Sequence, residues 1–469
     1  MRSCLLVIVV LSLVAGCSPT NGDGSLPPRR TSSAVATGAP GIGDEDFPLD
    51  GNGGYDVRRY RLKLAYDPKR RHLDGTATVE ATAGQSLARF NLDLSGLTVR
   101  SAEVDGRRAA FTRDGDELTL IPQAPVAKGA RFTATVSYSG QPQRVKDGAN
   151  LGTYGFLATP DGAYVVCQPN GAKTWFPAND HPADKARFDF EITVPKGLTA
   201  LANGEMTKPP ATSGGRTTFT WSERHPMATY LATMTLGRFE VRQGKTARGV
   251  PLLAAVDPRF RGSLDKVYTL SGQITDYWSG LFGEYPFGST GGVVDDYAAG
   301  YALETQTKPM YGGFDPDESI MSHELAHQWF GNSLTIKRWR DLWLNEGFAT
   351  YAEWLWAEHR GRASAESTFR SYLSRPASDA IWSYPPGRAK PDDLFHESVY
   401  IRGAMTLHAL RRAVGDQVFF KLLKAWASEH RYGHVTTQQF IARAERAAGK
   451  DLDALFDTWL FTAGRPKAP

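Results

Sequence analysis

Cysteine is scarce in this chain: 469 residues carry three, Cys4, Cys17 and Cys167. Three scattered thiols build neither a disulfide framework nor a zinc ribbon. A charge excess is lacking too, since 54 basic residues nearly balance 50 acidic ones and leave a net charge of +4. No basic cluster stands out, so the electrostatic footprint of a nucleic-acid binder is missing. Long apolar runs are absent except for 5-LLVIVVLSLVAG-16, which is too short for a comfortable membrane span. No internal repeat is visible. What is present is 41% hydrophobic residues with 11% aromatics, a globular composition. The length points to two or three domains.

Arg2 and the apolar stretch after it have the form of a signal peptide over residues 1–17. Its end, 14-VAGC-17, resembles a bacterial lipobox, in which the cysteine is lipidated and becomes the mature N-terminus. An ordinary secretory peptide is the plainer alternative. The expectation is an exported protein, lipid-anchored through Cys17 to the outer face of the bacterial cell membrane. Residues 18–50 are rich in Gly, Ser, Pro and Thr and read as a flexible tether.

From 51 to 245 the apolar pattern has period two, as in 57-VRRYRLKLAY-66, 76-TATVEAT-82 and 131-RFTATVSYSG-140. Short strands separated by Gly, Asp and Pro clusters predict an antiparallel β-domain, a sandwich or curved saddle. From 246 to 469 the period becomes helical, first in 264-LDKVYTLSGQITDYWSGLF-282 and then around 317–330, 344–359, 399–413, 416–429 and 437–448. Thr436 followed by Gln439 has the spacing of a capping box. The fold class is α+β: an N-terminal β-domain followed by a mostly α-helical domain.

One helical stretch carries chemistry: 321-MSHELAHQWFGNSLT-335. A histidine on an apolar helix face is usually a satisfied core residue, so H-E-x-x-H needs supporting context. On a helix, His323 and His327 share one face and can bind one ion, while Glu324 is rotated by about 100° and stands beside it. Catalytic zinc takes a third protein ligand and keeps one position open. Glu346, nineteen residues after His327 and early in the next helix, is the candidate; otherwise it is a surface or capping residue. Glu353, seven residues further on, either accepts an N–H from a liganding histidine or is a solvated helix residue. A His₂Glu zinc with an adjacent glutamate is the layout of a hydrolase acting on amides, with Glu324 as general base.

These motifs, together with 328-QWFGNSLT-335 and 343-WLNEGFATY-351, resemble the aminopeptidase N family of gluzincin metallopeptidases. Residues 174-TWFPANDHPADKARFDFEITVP-195 look like that family's F-P-x-F-D-E-P segment, with Asn179 and His181 in place of its Phe and Glu. Residues 399-VYIRGAMTLHAL-410 look like its Y-x-K-G helix start, with Arg402 for the lysine. The resemblance covers roughly residues 50–463. It implies a β-sandwich or saddle domain followed by a thermolysin-like zinc peptidase domain with one Zn²⁺ per chain. It also implies that Tyr400 donates to the oxyanion and that Glu304 holds the substrate's free α-amine. Gln168 would stand near the same amine; otherwise it is a strand or turn residue. The loop bearing Glu304 reads 301-YALET-305 where the family has G-x-M-E-N. The expected function is a zinc-dependent aminopeptidase acting on peptides with a free N-terminus, monomeric and without nucleic-acid partners. A broad zinc endopeptidase and a non-catalytic lipid-anchored binding protein are the alternatives.

Overall fold

Buried and exposed side chains alternate along Tyr55–Asp67 and His72–Ala83. The two strands pair antiparallel at the centre of an eight-stranded sheet. Val57, Tyr60, Leu62 and Leu64 turn to the inner face, where Tyr60 stacks on Phe188 at 4.8 Å. The strand Lys185–Pro195 lies parallel to Tyr55–Asp67 on the other side, and Arg216–Ala228 pairs with it. A four-stranded and a five-stranded sheet complete the β-rich half. The computed structural model describes residues 36–147 and 151–466. The expected signal peptide, Cys17 and the tether before residue 36 lie outside the described residues.

Residues 36–50, expected as part of a flexible tether, are packed. Ala36–Thr37 pairs with Leu87–Asp93, and Asp44 is buried. Asp44 accepts from the Trp339 backbone N–H at 2.9 Å and lies 3.1 Å from His181 Nε2. Arg340 bonds Asp46 at 2.6 Å. His181, which replaces the family's Glu, thus sits under this segment, while Asn179, which replaces its Phe, accepts from the N–H of Asn52 just after it at 2.5 Å. Composition misled here because a few polar anchors, with the single ring of Phe47 against Trp339, order the strap.

The second half begins earlier than residue 246. Glu240–Lys245 pairs antiparallel with Pro251–Val256 in a sheet that continues through Thr290–Asp295, Met310–Gly312 and Ala302–Leu303. The helices follow: α1 (Leu264–Leu281), α2 (Glu318–Ala326), α3 (Trp343–His359), α4 (Ala365–Leu373), α5 (Gly403–Val414), α6 (Asp416–Glu429) and α7 (Thr437–Ala448). Thr436 and Gln439 form the reciprocal capping box of α7. Both halves belong to one compact unit.

Candidate active site

Asp317 starts α2 by accepting from the Ile320 N–H. The helix presents His323 and Glu324, and His327 follows as its C-cap. The next helix, α3, is almost wholly buried and begins with Trp343, so Glu346 falls in its first turn. At the crossing of α3 with α5, Gly347 meets Gly403: a Cβ built on Gly347 would lie 2.9 Å from the Gly403 backbone. This close approach brings Tyr400, in the π-helical turn Ser398–Arg402 before α5, against the same site. Arg402, in the lysine's place, is buried and donates to the carbonyls of Trp459, Thr458 and Thr462, tying that turn to the end of the described chain.

The donor atoms of His323, His327 and Glu346 lie within 4.8 Å of one another. Glu346 Oε2 is 3.4 Å from His323 Nε2 and 3.3 Å from His327 Nε2. His323 Nδ1 donates to Glu353 Oε1 at 2.7 Å, and Ser319 Oγ donates to the other oxygen of Glu353 at 2.7 Å. His327 Nδ1 is 3.0 Å from the Phe330 carbonyl, which can only accept, so Nδ1 carries the proton. Both rings thus turn Nε2 to a common centre with the other nitrogen engaged, as metal-bound histidines do. Two imidazoles and a carboxylate suit zinc in its open three-ligand form.

Glu324 Oε2 is buried without a protein partner beside these donors. Burial raises its pKa to about 8 although both histidines pull it down. Burial alone would lower His327, but Glu346 and Glu304 outweigh it and raise it to about 9. His323 is raised well above its usual value because Glu346 and Glu353 overcome the same burial. Glu346 is held low by the two histidines despite its burial. The Tyr400 ring lies nearly parallel to that of His323, and burial, reinforced by the surrounding carboxylates, keeps its hydroxyl protonated.

Glu304 follows the edge strand Ala302–Leu303 and is buried. Its Oε1 accepts from Gln168 Nε2 of the β-rich half at 3.1 Å. Its backbone carbonyl accepts from Asn332 Nδ2 at 2.7 Å and from Gln328 Nε2 at 3.3 Å. Thr305, in the asparagine's place, turns inward and donates to the Lys308 carbonyl at 2.5 Å. Burial, reinforced by Glu346, raises the Glu304 carboxyl, while the two histidines and a backbone hydrogen bond pull the other way. All eight residues expected at the site from the motifs and the resemblance line one cleft of about 520 Å³. Six carboxylates and no lysine or arginine line it. Asn332 and Gln328 were not read as site residues. Their place in 328-QWFGN-332, directly after the second histidine, was the available signal.

A β-rich half followed by a helical half, with paired histidines and a glutamate converging in a cleft between them, defines the class of two-domain gluzincin metallopeptidases. The Peptidase M1 N-terminal domain matches residues 57–231, and the Peptidase family M1 domain matches residues 316–459. Aminopeptidase N of Lactococcus lactis subsp. lactis is 31% identical over 444 residues, covering 87% of this chain and 51% of the relative. Probable aminopeptidase 2 of Sulfurisphaera tokodaii is 25% identical over 446 residues, covering 87% and 54%. The chain spans about half the length of these curated relatives. The crystal structure of an M1 zinc metallopeptidase from Deinococcus radiodurans superimposes with a TM-score of 0.82 at 29% identity, covering 92% of this chain and 98% of that one. A mutant of that metallopeptidase bound to a Tyr-Ser-Ala substrate matches equally well, with a TM-score of 0.82. The chain belongs to peptidase family M1, in which the aminopeptidase N resemblance had placed it.

Proposed function

We propose that this protein is a zinc-dependent aminopeptidase that removes residues from the free N-terminus of peptides. The observation that carries the proposal is Glu304: a buried carboxylate with no lysine or arginine beside it, in the same cleft as the metal donors. An unpaired buried carboxylate is costly, and a peptide's terminal ammonium supplies the missing charge. Because Glu304 stands at a fixed place relative to the metal donors, such an anchor brings only the first peptide bond to the reacting centre. Gln168 steadies that carboxylate from the opposite half.

A zinc ion held by His323, His327 and Glu346 supplies Lewis acidity, which polarises the scissile carbonyl and makes a nearby water more acidic. Glu324 takes a proton from that water and returns it to the leaving amine; its buried oxygen, unpaired beside the metal donors, is placed for both transfers. Tyr400, protonated at working pH, donates to the oxyanion that forms as the carbonyl is attacked. Glu353 orients His323. Export and a lipid anchor at Cys17 belong to the same proposal and rest on 14-VAGC-17. Cys17→Ser should move the protein from the membrane to the soluble fraction of a bacterial host, and unchanged membrane recovery would refute the anchor.

The deciding experiment compares two peptides that differ only in N-acetylation. Stepwise cleavage of the free-amine peptide alone supports the aminopeptidase. Cleavage of both at internal bonds would make this an endopeptidase, and Glu304 would then have no part as an amine anchor.

A further inference from the structure

Lys185 begins a strand of the β-rich half, yet its ammonium ends in the helical half. Nζ donates to the carbonyls of Asn332 at 2.8 Å and Ser333 at 2.7 Å, with that of Gly433 at 3.5 Å. Among the described residues no carboxylate lies within ion-pairing distance of it. An ammonium has three donors and no acceptor, so three converging carbonyls are the partners that satisfy it. Burial without an opposite charge lowers its pKa to about 7. Holding this amine between the halves therefore has an energetic cost that an ordinary surface lysine avoids.

The turn it grips follows directly from the histidine helix. Gly331 adopts a φ of 130° there, and the Asn332 N–H donates back to the His327 carbonyl at 2.9 Å. With its carbonyl taken by Lys185, Asn332 turns its side chain the other way. Nδ2 donates to the Glu304 carbonyl at 2.7 Å, the shorter of the two side-chain bonds that carbonyl receives. One residue thus links an ammonium of the β-rich half to the backbone of Glu304. We infer that Lys185 is a positioning residue for amine recognition, fixing Glu304 through Asn332 from the far side of the interface.

The inference rests on the aminopeptidase reading and deepens it. It is tested with Lys185→Met, Asn332→Ala, the double variant and Lys185→Arg, each checked for bound zinc and native circular dichroism. The readouts are KM and kcat on the free-amine peptide and the ratio of free-amine to acetylated cleavage. The wild-type ratio comes first. If the wild-type protein does not discriminate between the peptides, the aminopeptidase reading falls and this inference with it. Given discrimination, Lys185→Met is expected to raise KM about tenfold, the effect of loosening a hydrogen bond to a charged group, with kcat changed far less. Asn332→Ala should match it, the double variant should be no worse than either, and Lys185→Arg should recover part of the loss. Should Lys185→Met fail to fold, Asn332→Ala and Lys185→Arg carry the test. Zinc-loaded, folded variants with wild-type KM and discrimination would overturn the inference. So would single effects that multiply in the double variant.

Discussion

Glu324 and the two histidines beside it are separable by experiment, because the proposed mechanism has one move protons and the others hold metal. Glu324→Gln keeps the shape and removes the base, so kcat should fall by about 10²–10⁴ while zinc content stays at one per chain. Loss of zinc together with activity would show that Glu324 is a ligand instead. The metal donors make a second prediction. Without metal, His327 titrates at about 9 and His323 is raised well above its usual value, so both carry protons at pH 7. Zinc binds only the neutral rings, so loading must expel those protons and affinity must climb as pH rises toward 9. Calorimetry in buffers of different ionisation enthalpy reads this release. A heat of loading independent of buffer would refute it.

At the scale of elements, long periodic segments were legible and short polar ones were not. The strands at 57–66 and 131–140 and the helices at 264–282 and 416–429 follow their own hydrophobic periods, which local sequence displays. The stretch 399–413 reads as one helix, but its first four residues belong to the π-turn Ser398–Arg402 that aims Tyr400, which apolar spacing does not reveal. The donors His323, His327 and Glu346 were legible because two of them share one helix face and the third follows nearby. Lys185 and Asn332 were not, because their meeting depends on contacts about 150 residues apart in sequence. The strap over 36–50 escaped for the same reason. Its anchors can be tested: burial would raise Asp44, but the bonds from His181 and Trp339 bring its pKa below the usual value. Asp44→Ala leaves a buried ring nitrogen and a buried N–H without an acceptor, at about 1–3 kcal/mol each. Chemical denaturation should show a loss of at least about 2 kcal/mol, and a loss within about 0.5 kcal/mol would mean the strap adds little. Gly347→Ala is the harsher change. Its Cβ would press on the Gly403 backbone and part α3 from α5, so stability should drop by about 1–3 kcal/mol and activity with it. Unchanged stability and activity would show that the crossing tolerates the wider spacing.

Across the whole molecule, the site is an interface product. Gln168 and Lys185 come from the β-rich half, while Glu304, Asn332 and the metal donors come from the helical half. Further bonds cross the same boundary: Tyr301 Oη donates to the Thr153 carbonyl at 2.8 Å, and Asn203 Nδ2 donates to the Gln306 carbonyl at 2.9 Å. Asp44 and Asp46 bind the turn that leads into α3. With polar groups buried on both sides of this boundary, opening one half would strand partners in the other. The two halves should therefore unfold together. Buried tryptophans report on each, Trp175 and Trp221 in the β-rich half and Trp343 and Trp354 in the helical half. Their fluorescence and the far-ultraviolet circular dichroism should trace one coincident denaturant transition. Zinc at a hundred times its dissociation constant should stabilise that whole transition by about 2.7 kcal/mol, although every proposed ligand lies in the helical half. Two separate transitions, only one of them shifted by zinc, would show instead that the halves are energetically independent and that the β-rich half merely leans on the site.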